Sequence, residues 1–232
     1  MSKEPTIEAR RAACHDLTRQ LRHLIDTLMT TEADEATMVH AVNTISALNS
    51  QFDAFEHRSS FEGYAESANA GGEISAHNFE AMASMSEIFD HSPVLGLANP
   101  TAPPLSLRLE GNKVLGEATF GGAYEGPPGC VHGGWIAATF DELLGMTQSL
   151  SGSAGMTGCL TVNYRLPTPL RVPIRWEGEI VRVEGRKIFT TGRSYVEHRG
   201  QWTLTAEAEG LFISIPRERF HQMALDRDES RP

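Results

Sequence analysis

A histidine, two glycines and an isolated aspartate carry the chemistry that this sequence offers. They fall in the stretch Gly126-Pro-Pro-Gly-Cys-Val-His-Gly-Gly-Trp-Ile-Ala-Ala-Thr-Phe-Asp141-Glu142. Gly133 and Gly134 follow His132 and open a helical run that reaches to about Leu150. A helix N-terminus presents unpaired backbone N–H groups and a partial positive charge. Glycines there leave the approach open, so an anion or a polarised carbonyl oxygen can reach the donors, as an oxyanion hole requires. The same residues also suit a glycine-rich turn that tightens a loop-to-helix junction. Asp141 lies in the middle of an otherwise nearly apolar helix, with Ala137, Ala138, Leu144 and Gly145 three and four residues away. Small neighbours leave space for a ligand beside a carboxylate that can serve as a base. An aspartate facing a solvent channel or capping a loop fits the position as well. Glu142 points about 100° away around the helix and is the reserve acid.

Spacing carries a further consequence. Gly133 and Asp141 are eight residues apart, about 12 Å along a helix rising ~1.5 Å per residue. A carbonyl held at Gly133 is out of reach of Asp141 on the same helix. The two groups cooperate only if two chains pair antiparallel, so a functional motif predicts a two-fold dimer. Two unrelated residues on one helix require no such pairing.

The elements that position these residues are read from periodicity. Leu17, Leu21, Leu24, Ile25 and Leu28 recur at helical spacing within 6–30, with Arg10, Arg11, Arg19 and Arg22 among them. Thr30-Thr31-Glu32-Ala33-Asp34 offers N-cap residues for a second helix ending near residue 56, whose stripe is Met38, Val42, Ile45, Leu48, Phe52 and Phe55. Such an αα-hairpin needs other surface to cover its stripes. Residues 58–77 read as a Gly-rich linker and 79–89 as one more helix, and Pro93, Pro100, Pro103 and Pro104 keep the chain extended. From Leu105 the pattern is β. Two runs flank a hairpin turn at Gly111-Asn112, a Gly/Pro-rich loop spans 121–129, and the helix over 133–150 follows. Strands over 156–166, 174–184, 187–198 and 201–215 come last. The order β-β-α-β-β-β-β with one mostly apolar helix predicts an α+β fold, an antiparallel sheet curved around that helix. The expected divisions are a helical extension (1–58), a linker (59–104), a core domain (105–216) and a tail (217–232).

Composition bounds the function. The 232 residues include 20 Lys+Arg and 30 Asp+Glu, a formal charge of −10, which argues against a nucleic-acid binder that works by neutralising phosphates. Residues 1–104 hold −9 of that charge, whereas 165–199 carry eight basic residues against four glutamates. A polyanionic ligand therefore remains compatible with the chain, as does a solvated sheet face. No run approaches the ~20 apolar residues of a membrane span. The three cysteines, Cys14, Cys130 and Cys159, are odd in number and irregularly spaced. With no signal-peptide core at the N-terminus, this leads to the expectation of a cytoplasmic protein. The nine histidines show no paired ligand spacing, so no metal is expected. No P-loop, dinucleotide fingerprint or Gly-x-Ser-x-Gly elbow occurs.

Cys130-Val-His-Gly-Gly-Trp-Ile-Ala-Ala-Thr-Phe-Asp-Glu, Met156-Thr-Gly-Cys-Leu-Thr-Val-Asn-Tyr-Arg-Leu-Pro-Thr-Pro-Leu170 and Val183-Glu-Gly-Arg-Lys-Ile-Phe189 together resemble the hotdog-fold acyl-CoA thioesterases. The match is to their PaaI-like and thioesterase-superfamily-member branch, over about residues 105–216. The resemblance implies an N–H from Gly133, with Gly134 as a second candidate, on the thioester oxygen, and Asp141 as nucleophile or as the base that activates water. It implies that Thr157 orients the water or the carboxylate and that His132 orients the loop or hydrogen-bonds near the thioester, without acting as a base. Arg186 and Lys187 become candidates for the CoA phosphates, and Trp135 and Asn163 for other substrate contacts. Coenzyme A enters as part of the substrate, no separate cofactor is implied, and the assembly is a homodimer or a dimer of dimers. Many family members carry an amide side chain shortly before His-Gly-Gly, whereas this chain reads Glu125-Gly-Pro-Pro-Gly-Cys. A non-catalytic acyl-CoA binder and an enoyl-CoA hydratase on the same fold are the alternatives.

Overall fold

The computed structural model describes residues 7–55, 89–153, 155–216 and 219. The linker expected over 58–77, nearly all of the helix expected over 79–89 and most of the tail lie outside them. Helices α1 (Ile7–Leu28) and α2 (Glu35–Phe52) precede strands β1 (Ser106–Glu110) and β2 (Lys113–Ala118). Helix α3 (Gly133–Ser149) follows, then β3 (Gly155–Tyr164), β4 (Ile174–Glu184), β5 (Lys187–His198) and β6 (Gln201–Ser214). The six strands form one sheet in the order β1-β2-β4-β5-β6-β3, and every pairing is antiparallel. The expected order is thus observed. β3 stops two residues early because the N–H groups of Arg165 and Leu166 both turn to the Thr205 carbonyl, ahead of Pro167.

Helix α3 contacts every strand from β2 to β6. A helix about 10–12 Å across reaches five strands spanning about 19 Å because the sheet bends around it. This is the hotdog arrangement. Phe140, Leu143, Leu144, Trp176, Ile188 and Phe212 form its core, each at most 1% exposed. Gly178 and Gly192, paired across β4 and β5, let the helix approach. A Cβ on Gly178 would run into Thr147 Oγ1, and one on Gly192 would lie 3.1 Å from Leu144 and 3.2 Å from Phe140. One face of α3 stays open. Gly134 and Asp141 are exposed there, and Gly133, Ala137, Ala138 and Gly145 are half-buried.

The N-terminal helices also depart from the expectation. The hydrogen bonds and ion pairs that dock α1 are made by polar residues, and of its apolar stripe only Leu17 and Leu21 are half-buried. Arg11 and His15 reach Asp90, the Arg22 guanidinium donates to the carbonyls of Gly96 and Asn99, and Asp26 accepts the Ala123 N–H. Burial lowers the pKa of the Arg22 guanidinium and raises that of the neighbouring Tyr124 phenol. Leu24, Ile25 and Leu28 stay exposed. α2 begins at Asp34, whose carboxylate accepts the Thr37 N–H at 2.8 Å, and it buries none of its residues.

The sheet face turned away from α3 is a lattice of ion pairs. Arg108 and Arg175 share Glu117, Lys113 reaches Glu177 and Glu179, and Arg193 reaches Glu177, Glu179 and Glu207. Arg165 also pairs with Glu207, and Arg182 with Glu184. Exposed pairs of this kind contribute about 0–1 kcal/mol each. Four of the eight basic residues over 165–199, Arg165, Arg175, Arg182 and Arg193, are thus paired with glutamates. Tyr195 donates to Glu177 at 2.9 Å. Burial, then that carboxylate, push its pKa up to about 12.

Two outcomes follow from this packing. Gly178→Ala overfills the helix–sheet contact and is expected to lower stability by about 1–3 kcal/mol in urea unfolding. Ultraviolet titration should find Tyr195 ionising near 12. Because its folded pKa lies above the unfolded value of ~10, its contribution to stability is complete below about pH 10. That contribution is lost as pH rises toward 12.

Candidate active site

The loop before α3 is fixed by its own hydrogen bonds. The N–H of Gly126 donates to the Cys130 carbonyl, that of Val131 to Thr168 and that of His132 to Tyr124. Glu125 accepts the Gly129 N–H at 2.6 Å. His132 is the N-cap of α3, in extended conformation, and its Nδ1 accepts the Gly134 N–H at 3.0 Å. A neutral imidazole accepting at Nδ1 carries its proton on Nε2. The two glycines therefore differ. The Gly134 donor is used within the chain, whereas the Gly133 N–H has no acceptor among the described residues. The Gly133 carbonyl accepts from Tyr164 at 2.7 Å. Trp135 stacks edge-on against Tyr124, which stacks against Phe120, at 5.0 and 5.4 Å, so its ring packs beside the loop.

Asp141 sits two turns further along α3. Its Oδ1 accepts the Thr157 hydroxyl at 2.8 Å. A β-bulge makes this contact possible. β3 pairs with β6 at Thr157↔Phe212 and again at Cys159↔Leu211, so Gly158 is the extra residue. Leu160 and Val162 pack on the core and Tyr164 reaches α3. Strict alternation from those residues would turn Thr157 to the other face, and the bulge returns it to Asp141. The same alternation sends Asn163 to the face away from α3, where it is exposed. Neither the bulge nor Tyr164 was anticipated from the sequence, although Gly158 was its visible signal.

Beside this pair lies a cleft of about 300 Å³ lined by Phe89, Asp141, Met146, Gln148, Thr157 and Phe212 among others. Glu142, the reserve acid, accepts a hydrogen bond from Ser92 at 3.2 Å. Phe89, which the sequence allows either in core packing or at an acyl site, lines this cleft, and Ser92 was not singled out from the sequence. Arg186 and Lys187 occupy the β4–β5 turn. Lys187 stands opposite Ile213, and Ile213 opposite Met156, so the turn lies about two strand spacings, ~10 Å, from the Thr157 end of β3. Neither forms an ion pair among the described residues, and Arg186 donates only to the Ser214 carbonyl.

Gly133 and Asp141 thus occupy opposite ends of the open face of α3, and β3, the strand that touches both, is an edge of the sheet. Ten residues of its outer edge have no strand partner among the described residues, and Met156 and Tyr164 are 46% and 53% exposed.

No protein-family model matches the chain. It is 38% identical over 100 residues to acyl-coenzyme A thioesterase THEM4 from Bos taurus, across 43% of this chain and 40% of that protein. It is 32% identical over 99 residues to acyl-coenzyme A thioesterase THEM5 from Homo sapiens, across 42% and 39%. The chain thus spans about two fifths of the length of these curated relatives. The crystal structure of a thioesterase superfamily protein is 30% identical, superimposes with a TM-score of 0.67, and is matched over 86% of this chain and 94% of its own. Sequence, topology and nearly full-length structural likeness agree: the chain belongs to the thioesterase superfamily.

Proposed function

We propose that the chain hydrolyses an acyl-CoA thioester at sites shared by two copies of itself. The observation that carries this reading is the Thr157–Asp141 hydrogen bond midway along α3, with the open Gly133 N–H at the N-terminus of that helix. In the proposed dimer β3 pairs with its two-fold mate and the open faces of α3 meet antiparallel. Asp141 of one copy then stands near the partner's Gly133. Long exposed edges of this kind invite such pairing, and the small residues on the α3 face allow close approach.

The thioester oxygen accepts the Gly133 N–H, whose donor strength the helix dipole increases as negative charge develops on that oxygen. Asp141, with Oδ1 held by Thr157, either attacks the carbonyl carbon or takes the proton of the water that does. If water attacks, collapse of the tetrahedral intermediate leaves the free acid, and the proton taken by Asp141 passes to the departing CoA thiolate. If Asp141 attacks, collapse leaves a mixed anhydride on Asp141, which water then hydrolyses to the free acid. His132 holds the loop and, with Nδ1 occupied by Gly134, takes no proton there. Arg186 and Lys187, free of carboxylate partners among the described residues, meet the CoA phosphates. The names of the curated relatives support acyl-CoA as the substrate.

Thiol release from a panel of acyl-CoA esters tests the proposal. Asp141→Asn is expected to lower kcat by about 10³-fold, within the range for a lost base, while leaving the folded dimer intact in sedimentation. Thr157→Val, which keeps shape and removes the hydroxyl, should cost roughly tenfold. Hydrolysis by Asp141→Asn at the wild-type rate across the panel would contradict it.

A further inference from the structure

The cleft beside Asp141 is walled on one side by a residue from outside the sheet and its helix. Phe89 is 9% exposed and packs against the core, yet it lines the same cleft as Asp141 and Thr157. Its place is over-determined. Asp90, the next residue, gives both carboxylate oxygens to α1, one to Arg11 at 2.6 Å and one to His15 at 2.8 Å. Two residues further on, the buried Ser92 hydroxyl accepts the N–H groups of Val94 and Leu95 and donates to Glu142. The backbone closes on itself as Ser92 N–H meets the Phe89 carbonyl and Ala98 N–H the Asp90 carbonyl. A Cβ on Gly96 would run into that Asp90 carbonyl. The segment is therefore a compact turn, pinned to α1 on one side and to α3 on the other, with Phe89 facing the cleft.

We propose that Phe89 is a specificity-determining residue that forms the end wall of the acyl site, held there by the clamp between Asp90 and α1. The inference rests on the reading of Asp141 as the reacting carboxylate. With the thioester carbon at Asp141, the acyl group lies along Met146, Met156 and Phe212 and stops at Phe89. A cleft of about 300 Å³ is at the small end of ligand cavities, so the preferred acyl groups are compact. The N-terminal extension thereby takes part in substrate selection without touching the reacting atoms.

The test measures kcat/KM for butyryl-CoA and dodecanoyl-CoA with the full chain. In Phe89→Ala the dodecanoyl-to-butyryl ratio should rise at least tenfold, in Phe89→Leu by less, and in Phe89→Trp it should fall. A residue that only supports the fold would depress both substrates alike. Asp90→Ala, which releases the clamp, should raise the ratio in the same direction as Phe89→Ala, and an unchanged ratio there would remove α1 from the account. If Phe89→Ala does not fold, the opposite shifts in the leucine and tryptophan variants decide the matter. Ratios within twofold of wild type in the folded variants would overturn the role of Phe89 while leaving thioester hydrolysis standing. A wild-type chain that releases no thiol from any ester would overturn both readings.

Discussion

An α-helix rises about 1.5 Å per residue, so the open donor of Gly133 and the carboxylate of Asp141 stand about 12 Å apart on α3. No rearrangement of this chain brings them onto one carbonyl. The surrounding structure is organised around that separation. The sheet wraps α3 on one side, with Gly178 and Gly192 admitting the helix backbone closely, and leaves the other side lined by small residues and two acids. β3 runs beneath this open face, touching Gly133 through Tyr164 at one end and Asp141 through Thr157 at the other. The strand that supports both half-sites is also the strand left without an outer neighbour among those described. In the proposed dimer one two-fold operation closes the strand edge and completes two sites together.

Each half-site is held by a different means. At the N-terminus of α3 the control is in the backbone, since loop hydrogen bonds fix His132 and its ring consumes the Gly134 donor, so a single N–H points outward. At Asp141 the control is in a side chain, aimed by one extra residue in a strand. α1 reaches both regions through polar contacts, to Ala123 near the loop and to Asp90 near the cleft. A polar dock of this kind sets position well and contributes little net stability, which suits an element whose proposed task is to place a wall.

Much of this was legible in the sequence. The strands announced themselves because alternation and glycine turns at Gly111, Gly185 and Gly200, all with positive φ, are local properties. Gly133 and Asp141 stood out because glycines at a helix start and an acid in an apolar helix are anomalies of residue type. What stayed hidden depends on register or tertiary contact. Gly158 hints at a bulge, but its effect on Thr157 is fixed only when β3 is laid against β6. The basic excess over 165–199 could be resolved only once cross-strand partners such as Glu117, Glu177 and Glu207 were known. The docking of α1 was not legible, because helical periodicity marks only the leucine stripe, whereas the hydrogen bonds run through Arg11, His15, Arg22 and Asp26.

The central claim is that each site takes its carboxylate from one copy and its oxyanion donor from the other. Mixing two inactive variants tests it most directly. Asp141→Asn removes the carboxylate. Gly133→Pro removes the N–H at the first helical position, where proline is tolerated, after a His132 already in extended conformation. Co-expressed in equal amounts, they should recover about a quarter of wild-type thioesterase activity, because half of the dimers are mixed and each of those keeps one intact site. A mixture that forms mixed dimers yet stays as inactive as either variant alone would contradict the account.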